Sequence, residues 1–135
     1  MEDSSVIRIL RNTKSVAVVG LSSDEKKPSN RVARSLRHWG YKVIPVNPNE
    51  SEVFGDRCWP NLAFVPERVD LVLVFRRPEH AAMILAEASV RGVPTVWFQP
   101  GTSGENASIL AERRRVACVA GRCIQEEYIR LICRD

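Results

Sequence analysis

One ten-residue turn in this chain has the residue types to hold a phosphate. The stretch Gly20-Leu-Ser-Ser-Asp-Glu-Lys-Lys-Pro-Ser29 follows Val16-Ala-Val-Val, an apolar run with no polar face and too short for a helix. Such a run reads as a buried parallel strand. Gly20 allows a sharp turn at its end, Leu21, Ser22 and Ser23 offer N–H and O–H donors, and a helix opening near Pro28 or Ser29 aims its positive end at the same point. That combination suits a pyrophosphate. It is not the usual dinucleotide turn, because no second or third glycine continues it as GxGxxG.

Further residues fall where such a ligand would extend. Lys26, Lys27 and Arg31 stand near the first loop, and Phe75-Arg76-Arg77-Pro78 ends a later apolar run with two adjacent cations. Paired arginines at the mouth of a buried strand are suited to phosphate, and Glu79 is a competing local partner. The second strand ends at Asn47-Pro48, where an NAD protein usually carries an acid for the ribose hydroxyl. Its absence favours a nucleotide with an extra phosphate, NADP or coenzyme A, while Asn-Pro is equally simple turn chemistry. Gln99 and Gly101 end another strand on the same side, and the glutamine amide offers a hydrogen bond to a ligand.

Catalytic patterns are missing. No Ser-His-Asp order, glycosidase-like carboxylate pair or GK[ST] phosphate loop is present. His38 and His80 read as surface residues, and Asp70 as a local cap. Cys58, Cys118, Cys123 and Cys133 form no CxxC pair, so zinc is not expected, and Cys118 and Cys133 read as core thiols of a reducing compartment. Binding without chemistry is the expectation.

The elements that must position these residues alternate. Apolar strand segments recur at 16–20, 42–47, 70–75, 95–99 and 117–120, separated mostly by helix-length stretches. This predicts a parallel sheet covered on both faces. A short helix is expected at Ser5 to Arg11. Val32, Leu36 and Trp39 give the next helix its apolar stripe, and Gly40 its stop. Glu52 to Gly55 is expected as a short edge strand and Trp59 to Val65 as about one helical turn. Pro78 opens a helix with Ala81, Ile84, Leu85 and Ala88 buried, Ile109 and Leu110 mark another, and Ile124, Tyr128, Ile129 and Ile132 face the core from the last. Six strands then fit a doubly wound, Rossmann-like α/β sheet in the order 3-2-1-4-5-6 with a short third strand. Its ligand crevice opens beyond the first and fourth strands.

Length and charge narrow the class. With 135 residues, 44% hydrophobic and 27% charged, the chain is expected to form one domain spanning residues 1–135. No apolar window approaches a membrane span, and Met1-Glu-Asp-Ser-Ser lacks a secretion signal's basic start, so a cytoplasmic location without membrane contact is expected. The net charge of +4 favours anionic ligands, but no basic stripe interleaved with aromatics points to nucleic acid.

Taken in order, Val18-Val-Gly-Leu-Ser22, Lys27-Pro-Ser29, Gly40-Tyr-Lys-Val-Ile-Pro-Val-Asn-Pro48, Val69-Asp70, Val74-Phe-Arg-Arg-Pro-Glu79, Val96-Trp-Phe-Gln99 and Arg122-Cys123 carry a family likeness. The chain resembles the small single-domain CoA-binding proteins, whose fold is shared with the CoA-binding domain of the succinyl-CoA synthetase α subunit. The resemblance implies coenzyme A as ligand, its pyrophosphate on the first loop, Asn47 and Pro48 flanking the adenosine, and Phe75 to Pro78 as the other wall. It departs at Gly121, where the family tends to have an acid, and at Tyr128, where it tends to have a histidine. The phosphorylated histidine of the synthetase has no counterpart. The resulting expectation is a non-catalytic binder of coenzyme A or acyl-CoA, with an acyl-CoA enzyme as possible partner. An NADP-dependent oxidoreductase or redox sensor, and a structural protein with an empty crevice, are the alternatives.

Overall fold

A computed structural model describes residues 1–133. The apolar runs form a five-stranded parallel sheet from β1 (Ser15–Val19), β2 (Lys42–Val46), β5 (Leu71–Val74), β6 (Thr95–Phe98) and β7 (Ala117–Val119), in the order β2-β1-β5-β6-β7. Every residue of β1, β5 and β6 is buried, as an unbroken apolar run requires when helices cover both faces. One face carries α1 (Asp3–Asn12), α2 (Pro28–His38) and α5 (Ile124–Leu131). The other carries α3 (Ala81–Val90) and α4 (Ala107–Arg113).

The expected third strand does not join this sheet. Glu52–Val53 and Asp56–Arg57 instead pair antiparallel as β3 and β4, a separate hairpin. Phe54 and Gly55 at its turn have φ of 58° and 79°, the left-handed pair that a two-residue hairpin turn uses. Gly55 takes this readily. Phe54 is held there under the Arg37 guanidinium, 4.7 Å from its ring centre. Outside β2, among the described residues, there is a single bridge, between Val46 and Trp59. The Pro45 carbonyl accepts from the Trp59 N–H at 3.0 Å, so Pro45 faces this open edge and its missing N–H removes no bond to β1.

Helix stripes follow the pattern in part. Val32 and Leu36 are buried in α2, and Ala81, Ile84, Leu85 and Ala88 in or at α3, after a 3₁₀ turn at Pro78–His80. In α4 the buried pair is Ala107 and Ala111, while Ile109 is exposed and Leu110 only packs at the margin. In α5 Ile124 is buried and Tyr128 and Ile132 pack against the core as expected, while Ile129 is exposed and Leu131 is buried in its place. Cys133 is exposed and Cys118 half-buried, so neither is a fully enclosed core thiol. Burial pushes the Cys118 thiol up. Asp70 is the expected cap: its carboxylate accepts the Lys14 and Ser15 N–H groups at 2.9 and 3.1 Å.

Register positions the site. Val19 lies beside Val46 on one side and Val74 on the other, and Val74 beside Phe98. The loops after all four strands therefore emerge at one edge. Because β1 pairs with both β2 and β5, chain order reverses there and the two following connections diverge, opening a crevice.

Candidate functional site

A crevice of about 620 Å³ occupies this switch point. Its walls are Pro28, Arg31 and Val32 of α2, Phe75 to Pro78 after β5, Gln99 to Thr102 after β6, and Cys123, Gln125 and Glu126 at the start of α5. Seven of the expected site residues thus share one cavity: Pro28, Phe75, Arg76, Arg77, Pro78, Gln99 and Gly101. The remaining ones, Gly20 to Ser23, Lys27, Ser29, Asn47 and Pro48, do not line it. They build the loop that leads to it and the neighbouring β2 turn.

Gly20 has φ of 91°, and its N–H donates to the Val46 carbonyl at 2.7 Å. A Cβ there would stand 2.6 Å from the Phe75 carbonyl oxygen. The glycine is therefore demanded by the next strand, rather than by room for a phosphate. Leu21 contributes a fully buried side chain, and its carbonyl accepts from Asn47 Nδ2 at 3.0 Å. Asn47 Oδ1 in turn accepts the Asn49 N–H at 2.9 Å, the local turn chemistry that Asn-Pro suggests. Pro48 is exposed and borders a separate niche of about 30 Å³ that also touches Arg76.

Several expected donors are spent inside the loop. Ser22 N–H donates to Ser29 Oγ at 3.1 Å, while Ser22 Oγ accepts the Asp24 N–H at 3.0 Å. Arg31 and Arg34 hold the Lys26 and Glu25 carbonyls at 2.9 and 3.1 Å. Asn30, 2% exposed, donates to the Ser22 carbonyl, and its Oδ1 lacks a protein partner among the described residues. Lys27 is exposed at the start of α2. Ser23 differs from its neighbours, since its N–H and hydroxyl both donate to the carboxylate of Glu50, at 2.7 and 2.9 Å. Glu50 follows β2 by four residues, so an acid does reach this loop, though not from the strand end.

Across the crevice, Arg77 is exposed, and Arg76 is half-buried with Nη2 3.4 Å from His80 Nε2. Arg76 also faces Glu87, whose carboxyl is pushed up by burial and drawn back by the Ala63 N–H and by Arg76. Glu79 is not its partner among the described contacts. Gln99 is buried and bonded at both amide atoms: Oε1 accepts the Ile124 N–H at 2.8 Å and Nε2 donates to Cys123 Sγ at 3.3 Å. It positions α5 and Cys123 rather than offering its amide to a ligand. Tyr128 stacks on Trp39 with ring centres 4.0 Å apart, a packing role.

Glu50, Asn30, Cys123 and Gln125 were not legible as site residues. Cys123 alone carried a signal, as part of the Arg122-Cys123 motif in the family resemblance. A second cavity, about 510 Å³, lies along the outer edge of β2 between Arg37, Lys42, Arg57 and Trp59, away from the strand ends.

The sequence matches one family along most of its length: residues 14–128 fit the model of the CoA binding domain. The chain belongs to this CoA-binding domain family. It is 30% identical over 122 residues to the uncharacterized protein YneT of Bacillus subtilis, covering 90% of each chain. It is also 30% identical over 117 residues to an ADP-forming acetate–CoA ligase (II) of Archaeoglobus fulgidus, covering 84% of this chain but 17% of the ligase. A hypothetical protein from Pyrococcus horikoshii superposes with a TM-score of 0.94 at 33% identity, covering 98% of this chain and 93% of that one. The fold is thus that of CoA-binding domain proteins, found both as a short chain and within a much longer ligase.

Proposed function

We propose that this protein binds coenzyme A or an acyl thioester of it in the switch-point crevice and does no covalent chemistry on it. The observation carrying this reading is the crevice itself: 620 Å³ at the strand ends, with Arg76 and Arg77 on one wall and the N-terminal turn of α2 on the other. Family membership supplies the ligand class. The pyrophosphate lies against the first loop, the adenosine toward Asn47 and Pro48, and the pantetheine arm along Phe75 to Pro78 toward Gln99 and Cys123. Non-catalysis is supported by the surroundings of Cys123, whose sulfur accepts from the Gln99 amide, a group unable to act as a base. The ligase relatives support an acyl-CoA enzyme as partner.

Thermal shift against a ligand panel tests this. Coenzyme A should stabilise the protein more than NADP or NAD at equal concentration, by about 2.7 kcal/mol at a hundred times its Kd. A shift with NADP and none with coenzyme A overturns the reading.

A further inference from the structure

The first loop has few donors left for an anion, and those at Ser23 are already in use. Ser22 N–H is taken by Ser29, Asp24 N–H by Ser22 Oγ, and Lys26 N–H by Asp24 Oδ1 at 2.9 Å. Ser23 presents an N–H and an O–H together, and both point at one carboxylate, that of Glu50, from 27 residues further along the chain. These contacts are exposed, and Glu50 is held to the loop by them alone among the described side-chain contacts. A backbone N–H paired with a hydroxyl around one oxyanion is the arrangement phosphate oxygens accept.

Resting on the CoA reading above, we infer that Glu50 is a resident competitor for the anion seat at Ser23, and so sets how tightly the protein holds a phosphorylated ligand. A carboxylate and a phosphate cannot take the same two donors. Nor do two anions tolerate each other at that distance. Binding of a phosphate at Ser23 therefore displaces the Glu50 carboxylate from the loop, while the 47–51 turn keeps its own hydrogen bonds. The affinity observed is the intrinsic affinity reduced by the fraction of molecules in which Glu50 occupies the seat. Glu50 thereby favours ligands with enough negative charge to evict it over neutral or singly charged ones. Asn47 stays in place during this exchange, because its amide holds the Leu21 carbonyl rather than Glu50.

Isothermal titration with coenzyme A, using the wild type, Glu50→Gln, Glu50→Ala and Ser23→Ala, tests the inference, with melting curves confirming that each variant folds. Both Glu50 variants should bind about two- to fivefold tighter, the range an exposed charged contact allows. Ser23→Ala removes the hydroxyl and keeps the N–H, so it should weaken binding, and Glu50→Gln should then bring a smaller gain in the Ser23→Ala background than in the wild type. If the wild type binds coenzyme A while the Glu50 variants bind equally or more weakly, Glu50 props the loop or contacts the ligand, and the inference fails alone. If neither the wild type nor the Glu50 variants bind coenzyme A, the CoA reading fails and takes the inference with it. Binding by Glu50→Gln without binding by the wild type supports both.

Discussion

Asp70 and Glu50 are both carboxylates that accept backbone N–H groups at an end of the sheet, but their settings differ. Asp70, at the N-terminal end, takes Lys14 and Ser15 with one oxygen and Arg68 Nε at 3.1 Å with the other, and its side chain is 16% exposed. Burial pushes its carboxyl up, yet the hydrogen bonds from Lys14, Ser15 and Arg68 outweigh this and hold it below the usual range. Its own N–H closes the knot on Ser15. Glu50, at the C-terminal end, is half-buried and its side chain bonds one residue, Ser23. The first acid is part of the scaffold and the second can be exchanged for something else. An N–H held at the surface by a side chain distant in sequence is more available to a ligand than one held by its own turn.

The contrast breaks most severely at Gly20. A Gly20→Val chain needs a β-branched residue at φ of 91° and a Cβ 2.6 Å from the Phe75 oxygen. A loss of about 2 to 5 kcal/mol in denaturant unfolding is expected, with CoA binding lost too. A folded Gly20→Val protein of wild-type stability would show that β1 and β5 do not approach as described.

A crossed pair of variants sharpens the division between the two ends. Asp70→Ala should cost about 1 to 3 kcal/mol of stability and leave CoA affinity unchanged. Arg76→Ala with Arg77→Ala should leave stability nearly unchanged and cost on the order of 1.5 kcal/mol of CoA affinity per contact, whereas Arg113→Ala with Arg114→Ala should cost little. Comparing dephospho-CoA shows whether the pair grips the ribose phosphate. Equal, salt-screened losses in both arginine variants would remove Arg76 and Arg77 from the site.

The smallest effect concerns the surface pairing of α1 with α5. The Arg130 hydrogen bond, with Arg122 beside it, holds Asp3 at about pKa 2, below its ordinary 3.8. A depressed acid stabilises the fold above its unfolded pKa and loses that contribution as pH falls through the folded value. Amide protection in α1, relative to the intrinsic exchange rate at each pH, should therefore fall between about pH 4 and 2, and Asp3→Asn should abolish that step. An unchanged profile in Asp3→Asn would assign the transition to other acids.

The sheet was legible because burial on both faces leaves unbroken apolar runs, and the crevice because strand order fixes where connections diverge. Phe54 was misread because a bulky residue seldom sits at positive φ, so nothing marked the hairpin turn. The α4 face was misread for a different reason: two alanines fit close against the sheet where Ile109 does not, and size rather than hydrophobicity chose the buried face. Glu50 and the Gln99–Cys123 contact join residues 27 and 24 positions apart, and spacing along a chain carries no trace of such meetings.

Pro45 has a further consequence. An edge strand of bare N–H and C=O groups invites strands from other molecules to accrete, the first step toward fibrils. Here the outward side of β2 offers no N–H at Pro45, and the Trp59 bridge occupies its carbonyl and the Asn47 N–H. What remains is too short a template for intermolecular growth. The residue that interrupts the apolar run thus blunts the β2 edge against strands from other molecules.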